Sequence, residues 1–303
     1  MKILALGSNA AVPAHDRHLS AQVLHYANTY YLIDCGEGTQ FQLLKSGISV
    51  HKIDRIFISH VHGDHIFGLP GLITSMSLQN RKHDLYIYCA KAVKEFVQQA
   101  LNFTQSRISF TIYFAELPNE TCTLYENEGI NVSAFPLLHG VPCVGFLFKE
   151  KAKPRNIRKD KLVKYGFSLE QIHRLKAGDN LILENGTILK NDEVTYADEE
   201  SLSYGYCTDT KFNAEIVPVI NNITCLYHEA TFAETEKDKC DATFHSSTKQ
   251  AAEIARLAKV KHLLIGHFSS RYKNTKLLEN EAREIFSKTD SIQENQWYDL
   301  STL

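Results

Sequence analysis

The seven residues Ser59-His60-Val61-His62-Gly63-Asp64-His65 hold four side chains able to bind a metal ion. His60 and His62 stand two apart, so an extended backbone aims both to one side and a single ion can take both. Gly63 offers a free backbone for a sharp bend, which would aim Asp64 and His65 at a neighbouring ion. Three isolated residues share this setting: His139, Asp209 and His267 each stand just past an apolar, strand-like run. Each alone reads as a surface or capping residue. Together with the cluster they make five histidines and two aspartates, a donor set suited to two zinc ions per chain bridged by one carboxylate. The expected division is His60, His62 and His139 on one ion and Asp64, His65 and His267 on the other. Asp209 lies across both, because a carboxylate has two oxygens and can bridge where an imidazole cannot. Two ions about 3.5–4 Å apart bring the pKa of a water between them toward roughly 7 and steady both oxygens of a phosphoryl displacement. No G-x-S-x-G elbow points to a serine nucleophile instead.

These residues need a scaffold that collects strand ends. Arg55-Ile56-Phe57-Ile58 reads as a short buried strand before the cluster, and Ile66 to Gln79 as an apolar helix after it. Strands are expected at 2–6, Ala21–His25 and Thr29–Ile33, the last two forming a hairpin around Ala27-Asn28, and a helix from Gln40 to Lys45 stopping at Gly47. Asp34, at a strand end, reads equally as a turn aspartate or as an acceptor orienting a ligand histidine. Further strands are expected at Leu85–Cys89, Ser109–Phe114, Gly129–Leu138, Val144–Phe148, Ser203–Cys207, Ile223–Tyr227 and His262–Ile265. Leu181–Glu184 and Thr187–Leu189 flank Asn185-Gly186, a tight-hairpin signal. Helices are expected over Lys91–Leu101, Ser247–Ala258, opened by a capping box of Ser247 and Gln250, and Lys276–Ser287. Strands with helices between them, and the same again in the second half, predict two sheets face to face with helices outside and polar ligands at strand ends.

The 303 residues carry a net charge of −2, which on its own points to neither a nucleic acid nor a membrane. Seven cysteines without a C-x-x-C pair read as reduced core thiols in a cytoplasmic protein. No apolar run has the length of a membrane span, and the N-terminal run is too short for a signal peptide. Charge is concentrated locally: residues 149–176 hold ten Lys and Arg against three Asp and Glu. Such a run is ordinarily a solvated face. Inserted between two core strands, next to a site suited to phosphodiester cleavage, it reads as a clamp on an RNA backbone, with Lys151, Lys153, Arg155, Arg158, Lys159 and Lys161 as the candidate contacts.

The Ser-His-Val-His-Gly-Asp-His string resembles the metallo-β-lactamase superfamily, and the chain from residue 3 to about 290 looks like its tRNA 3′-processing branch, ribonuclease Z. Asp34-Cys35-Gly36-Glu37-Gly38-Thr39-Gln40 is similar to that family's first motif, His228-Glu229-Ala230-Thr231 to its His-Glu-Ala-Thr box, and His245-Ser246-Ser247 to its His-Ser-Thr box. The last two separate the branch from lactamases, glyoxalases and lactonases. The resemblance implies a four-layer αββα metallo-β-lactamase-like sandwich, one domain over 1–303 with a protruding basic arm, the exosite, at about 150–178. It implies a zinc-dependent endoribonuclease that removes the 3′ trailer from precursor tRNA after the discriminator base, leaving a 3′-hydroxyl and a 5′-phosphorylated trailer. It further implies a homodimer. Asp64 would act as general base, His245 would donate a proton to the leaving oxygen, and Glu229 would orient His245. The chain departs from the pattern in three places. The loop Pro13-Ala14-His15-Asp16-Arg17-His18 lacks the usual lysine and asparagine, the arm has Gly166-Phe167-Ser168-Leu169 in place of a Gly-Pro pair, and Ser247 replaces a threonine.

Two other readings fit parts of the sequence. The same dinuclear site would serve small phosphodiesters or cyclic nucleotides, with the basic run a mere surface. An RNA-binding protein without turnover would have no physical reason to keep seven matched ligands.

Overall fold

In a computed structural model the described residues are 1–183, 185–196 and 200–303. They form two compact units. The first comprises Met1–Tyr125, Val132–Phe148 and Leu202–Leu303; the second comprises Glu126–Asn131 and Lys149–Ser201.

The first unit is built on two seven-stranded sheets. The chain opens with β1 (Lys2–Gly7), β2 (Ala21–Tyr26) and β3 (Thr29–Ile33), followed by β4 (Ile53–Phe57), β5 (Leu85–Cys89) and β6 (Ile112–Glu116). The β2–β3 hairpin turns at Ala27 and Asn28, both with positive φ, which matches the right-handed twist of the strands it joins. From β3 to β6 the neighbours are parallel. Helices α1 (Thr39–Lys45), α2 (Gly63–Ile66), α3 (Leu69–Leu78) and α4 (Lys91–Phe103) intervene. Leu43, Leu72, Ile73, Met76, Val93 and Val97, from α1, α3 and α4, bury against Val23, Leu32, Ile56 and Ile87 of the sheet.

Two local outcomes differ from expectation. The helix expected over Ile66–Gln79 breaks into α2 and α3, because the Gly68 N–H bonds to the Cys35 carbonyl and a Cβ there would lie 2.2 Å from the Gly36 oxygen. The strand expected from Ser109 starts at Ile112, because Ser109 is tied to Ser77 Oγ and the Arg81 carbonyl at the end of α3.

The chain continues with β7 (Cys122–Glu126), which the sequence reading did not place, then β8 (Ile130–Leu137) and β9 (Cys143–Glu150). The second unit follows. Its strands are two-residue pairs, β10 (Asn156–Ile157) with β13 (Thr195–Tyr196) and β11 (Leu181–Ile182) with β12 (Ile188–Leu189). Gly186 has φ 79° in the β11–β12 turn. Glu184, the expected end of β11, lies outside the described residues. Helices α5 (Lys159–Tyr165), α6 (Leu169–Ala177) and α7 (Asn191–Val194) complete the unit. It has its own small core of Phe167, Leu175, Leu181, Leu189 and Val194.

Back in the first unit, β14 (Ser203–Cys207), β15 (Cys225–Glu229), β16 (His262–Gly266) and β17 (Thr289–Ser291) run parallel. Here α8 (Lys237–Thr243), α9 (Thr248–Leu257) and α10 (Lys276–Ile285) intervene, and β18 (Trp297–Asp299) returns to pair with β1. Ala251, Ile254 and Ala255 of α9 and Leu278 and Ala282 of α10 bury against Leu226, Leu263 and Ile265. Between the sheets, Phe57 meets Phe146 and Phe148 at ring-centroid distances of 5.5 and 5.3 Å, and Tyr31 meets Phe148 at 6.1 Å. The order is helix, sheet, sheet, helix: the expected four-layer αββα sandwich. Parallel strands bring β3, β4, β14, β15 and β16 to finish at the carboxyl edge, where such folds place ligands.

Candidate metal centre

His60 and His62 follow β4, His139 follows β8, Asp209 follows β14 and His267 follows β16. Ligand atoms of His60, His62, His139 and Asp209 lie within 4.8 Å of one another, as do those of Asp64, His65 and His267. Asp209 Oδ2 is 3.6 Å from His60 Nε2 and 3.7 Å from His139 Nε2. Its Oδ1 is 3.3 Å from His65 Nε2 and 3.2 Å from His267 Nε2. One carboxylate therefore faces both clusters, an oxygen to each. Asp64 Oδ2 is 3.6 and 3.7 Å from the same two imidazole nitrogens and accepts the Ala11 N–H at 2.9 Å.

Each imidazole but one is held from behind. His65 Nδ1 donates to Asp34 Oδ2 at 2.8 Å. Asp34 is thus an orienting acceptor, and its φ of 57° turns the chain inward at the end of β3. Ser59 accepts from His60 Nδ1 at 3.0 Å and passes its own proton to Asp34. His139 Nδ1 donates to the Phe244 carbonyl at 3.1 Å, and His267 Nδ1 to Thr231 Oγ1 at 3.0 Å. These bonds fix the tautomers and leave the Nε2 lone pairs aimed inward. His62 faces the others through Nδ1, at 3.1 Å from His60 Nε2 and 3.2 Å from His139 Nε2. Two imidazoles at about 2.0–2.1 Å on one tetrahedral ion stand about 3.3 Å apart, close to these spacings.

The buried Nε2 atoms of His65 and His267 have no hydrogen-bond partner. A buried polar atom without a partner costs free energy, and a cation beside Asp209 is what these two nitrogens lack. Burial works against a charge on His65, but Asp209 and Asp34 outweigh it and hold the imidazole well above its usual range. That field favours positive charge at the same spot. The residues fit a pair of divalent ions.

Gly63 has an ordinary φ, since it is not among the positive-φ glycines, so a bend is not why glycine stands there. The ring of Phe67 does not leave space for a Cβ, which would come within 2.2 Å of it.

Beside the centre, Glu229 is fully buried and His245 largely so. His245 Nδ1 donates to Glu229 Oε1 at 2.8 Å, leaving Nε2 as the nitrogen that carries the second proton. Glu229 is held by the Thr210 N–H at 2.7 Å and the Thr231 hydroxyl at 2.6 Å. Burial lowers the His245 pKa, but Glu229, by charge and hydrogen bond, more than offsets this and raises it to about 9. An atom each of Asp209, His245 and His267 also lie within 4.8 Å of one another.

Relatives decide the family. Ribonuclease Z of Bacteroides fragilis is 38% identical over 96% of this chain and 96% of its own length. Ribonuclease Z of Cytophaga hutchinsonii is 39% identical over 95% of this chain and 92% of its own. This chain belongs to the ribonuclease Z family. Its residues 1–160, just over half of it, also place it in the family whose model is described as anti-Pycsar protein Apyc1. The crystal structure of human tRNase Z, short form, matches at TM-score 0.73 and 25% identity over 99% of both chains. The metallo-beta-lactamase fold protein YhfI from Bacillus subtilis matches in fold, at TM-score 0.69 and 17% identity over 98% of both chains.

In this ribonuclease Z family member the sequence reading missed three supports. Thr231 stands two residues from Glu229, just past the end of β15, close enough for its hydroxyl to reach the Glu229 carboxylate, a signal present in the His-Glu-Ala-Thr string itself. Ser59 gave its signal only by adjacency. The Phe244 carbonyl gave none, because a backbone acceptor is the same in every residue.

The six basic candidates all lie in the second unit. Lys151 pairs with Glu126 at 3.0 Å. Arg155 bonds Asp192 at 2.6 Å and Thr195 at 2.7 Å. Lys161 is 3.8 Å from Asp160. Lys153, Arg158 and Lys159 are exposed, with Arg158 over the Tyr196 ring.

Proposed function

We propose that the chain is a zinc-dependent endoribonuclease that removes the 3′ trailer from precursor tRNA, cutting after the discriminator base to leave a tRNA 3′-hydroxyl and a 5′-phosphorylated trailer. What carries this is the likeness to proteins named Ribonuclease Z along nearly the whole chain, the insert included. The alternative, a small or cyclic phosphodiester substrate, gives the insert no task.

Two zinc ions per chain would be held by His60, His62 and His139 and by Asp64, His65 and His267, with Asp209 shared. When bound, such ions supply a nucleophile at neutral pH and neutralise charge on the phosphate. The chain's own residues do the rest. Asp64 Oδ2 faces the centre and is steadied by the Ala11 N–H, placed to take the proton of the attacking water as general base. His245, kept charged by Glu229, brings a proton on Nε2 to the leaving ribose oxygen, which departs poorly as an alkoxide. Thr231 and Thr210 keep Glu229 turned toward His245.

We read the chain as one metallo-β-lactamase-like domain with an exosite arm at about 150–178, where Lys151, Lys153, Arg155, Arg158, Lys159 and Lys161 grip the tRNA backbone. Contacts of this kind position RNA without reading its sequence. We place it in the cytoplasm, as a homodimer. No helix among the described residues is long and apolar enough to cross a membrane.

The test is one 3′-extended tRNA with the cut mapped. A single cut after the discriminator base is expected, and none from the Asp64→Ala chain, which should still bind the RNA. Cuts scattered along the trailer, or full activity in Asp64→Ala, would overturn the proposal.

A further inference from the structure

Tyr206 stands on β14 in the second sheet, fully buried, yet its hydroxyl donates to Asp34 Oδ2 in the first sheet at 2.8 Å. That oxygen also accepts from His65 Nδ1 at 2.8 Å and Ser59 Oγ at 2.9 Å. The Thr208 hydroxyl, within reach of the same phenol, spends its only proton on Asp209 Oδ1 at 2.7 Å. The phenolic proton is therefore the one that the second sheet contributes to Asp34. The ring itself packs flat on Tyr227, at 5.0 Å between centroids and 7° between planes, so packing and hydrogen bonding are separable in this side chain.

We propose that Tyr206 is a positioning residue for the metal centre: together with Ser59 it fixes the rotation of the Asp34 carboxylate, and so the aim of His65 Nε2. Asp34 Oδ1 also accepts the Ser59 N–H at 2.8 Å, so without the phenol the carboxylate would turn about that bond and still accept from His65, but along other directions; partners behind a ligand histidine typically change metal affinity about 10–100-fold. Tyr206 lies one bond further out, so the lower end is expected. This rests on the assignment of His65 as a ligand made above.

The experiment is a chelator-competition titration of zinc into the metal-free protein, comparing wild type with Tyr206→Phe, which keeps the ring and removes one hydroxyl. Tyr204→Phe is the control, because its hydroxyl is equally buried on the same strand but bonds to Gln22. One zinc should bind about tenfold more weakly to Tyr206→Phe, the other unchanged, and both unchanged in Tyr204→Phe. In Asp34→Ala, which removes the acceptor that Tyr206 and His65 share, the added Tyr206→Phe change should cost nothing more. Cobalt in place of zinc should show shifted d–d bands in Tyr206→Phe only. Equal affinities in wild type and Tyr206→Phe, equal losses in both tyrosine variants, or a Tyr206→Phe chain that does not fold would each overturn the role. A wild-type chain that binds no zinc would overturn the metal assignment instead, so the two failures are distinguishable.

Discussion

In the proposed reaction His245 and Glu229 would carry the chemistry that the metals do not. The leaving group in a phosphodiester of RNA is an alkoxide, and general acid help typically contributes about 10²–10⁴-fold. His245→Ala is expected to lower kcat on a 3′-extended tRNA by about that factor. On bis(p-nitrophenyl) phosphate, whose leaving phenolate needs little help, the loss should be far smaller. Parallel turnover measurements on both substrates check this, and equal losses would mean that His245 only binds the phosphate. At this scale the sequence was legible where residue type carries the signal. His60, His62, Asp64 and His65 announce themselves by spacing. His139, Asp209 and His267, each alone readable as a surface or capping residue, joined the set only when read beside that cluster. Asp34 was ambiguous, since a turn aspartate and an orienting acceptor look alike until the partner imidazole is seen 2.8 Å away.

Helices and strands set these groups by where they begin and end. Thr248 opens α9 only two residues past Ser246, and three past His245, so the cap of that helix also fixes the segment carrying His245. Ser247 Oγ accepts the Gln250 N–H at 3.3 Å and donates to Glu234 Oε2 at 2.6 Å, while Gln250 Oε1 takes the Ser247 N–H at 2.9 Å. Losing an N-cap hydroxyl typically costs about 1 kcal/mol. Ser247→Ala should lower the thermal midpoint by a few degrees in calorimetry, while Ser247→Thr, which keeps the hydroxyl, should leave it unchanged. Equal losses would assign the position to packing. This capping box was readable because its signature is local. What was not readable was set by distant partners: β7 and β18 are short strands whose existence depends on the edges they join, and the break between α2 and α3 depends on the close approach of Gly68 to Gly36.

The division into two units gives the molecule a part that can be removed. The second unit has its own core of Phe167, Leu175, Leu181, Leu189 and Val194, so a cut inside it at 175 would expose apolar side chains; replacing 152–200 whole by a short Gly/Ser linker avoids that. Charge along it is uneven. The stretch 149–176 is strongly basic, yet over Glu126–Asn131 and Lys149–Ser201 eleven Lys and Arg meet twelve Asp and Glu. Net charge therefore gives no general attraction for RNA, and any grip must come from particular side chains. Lys151 and Arg155 are already engaged with Glu126 and Asp192, whereas Arg158 and Lys159 are exposed at the start of α5. The linker variant is expected to hydrolyse bis(p-nitrophenyl) phosphate at the wild-type rate but to lose precursor-tRNA cleavage. Its residual tRNA affinity should fall less steeply with salt than that of the wild type, because each lost phosphate contact lowers the slope of log K against log salt by about 0.7–0.9. Arg158→Ala and Lys159→Ala should each remove about one such increment, and Lys151→Ala and Arg155→Ala less. Filter binding across a salt series reads all of these. Equal loss of both activities in the linker variant would make the unit a structural part of the enzyme, and an unchanged salt slope would place the tRNA contacts elsewhere on the chain.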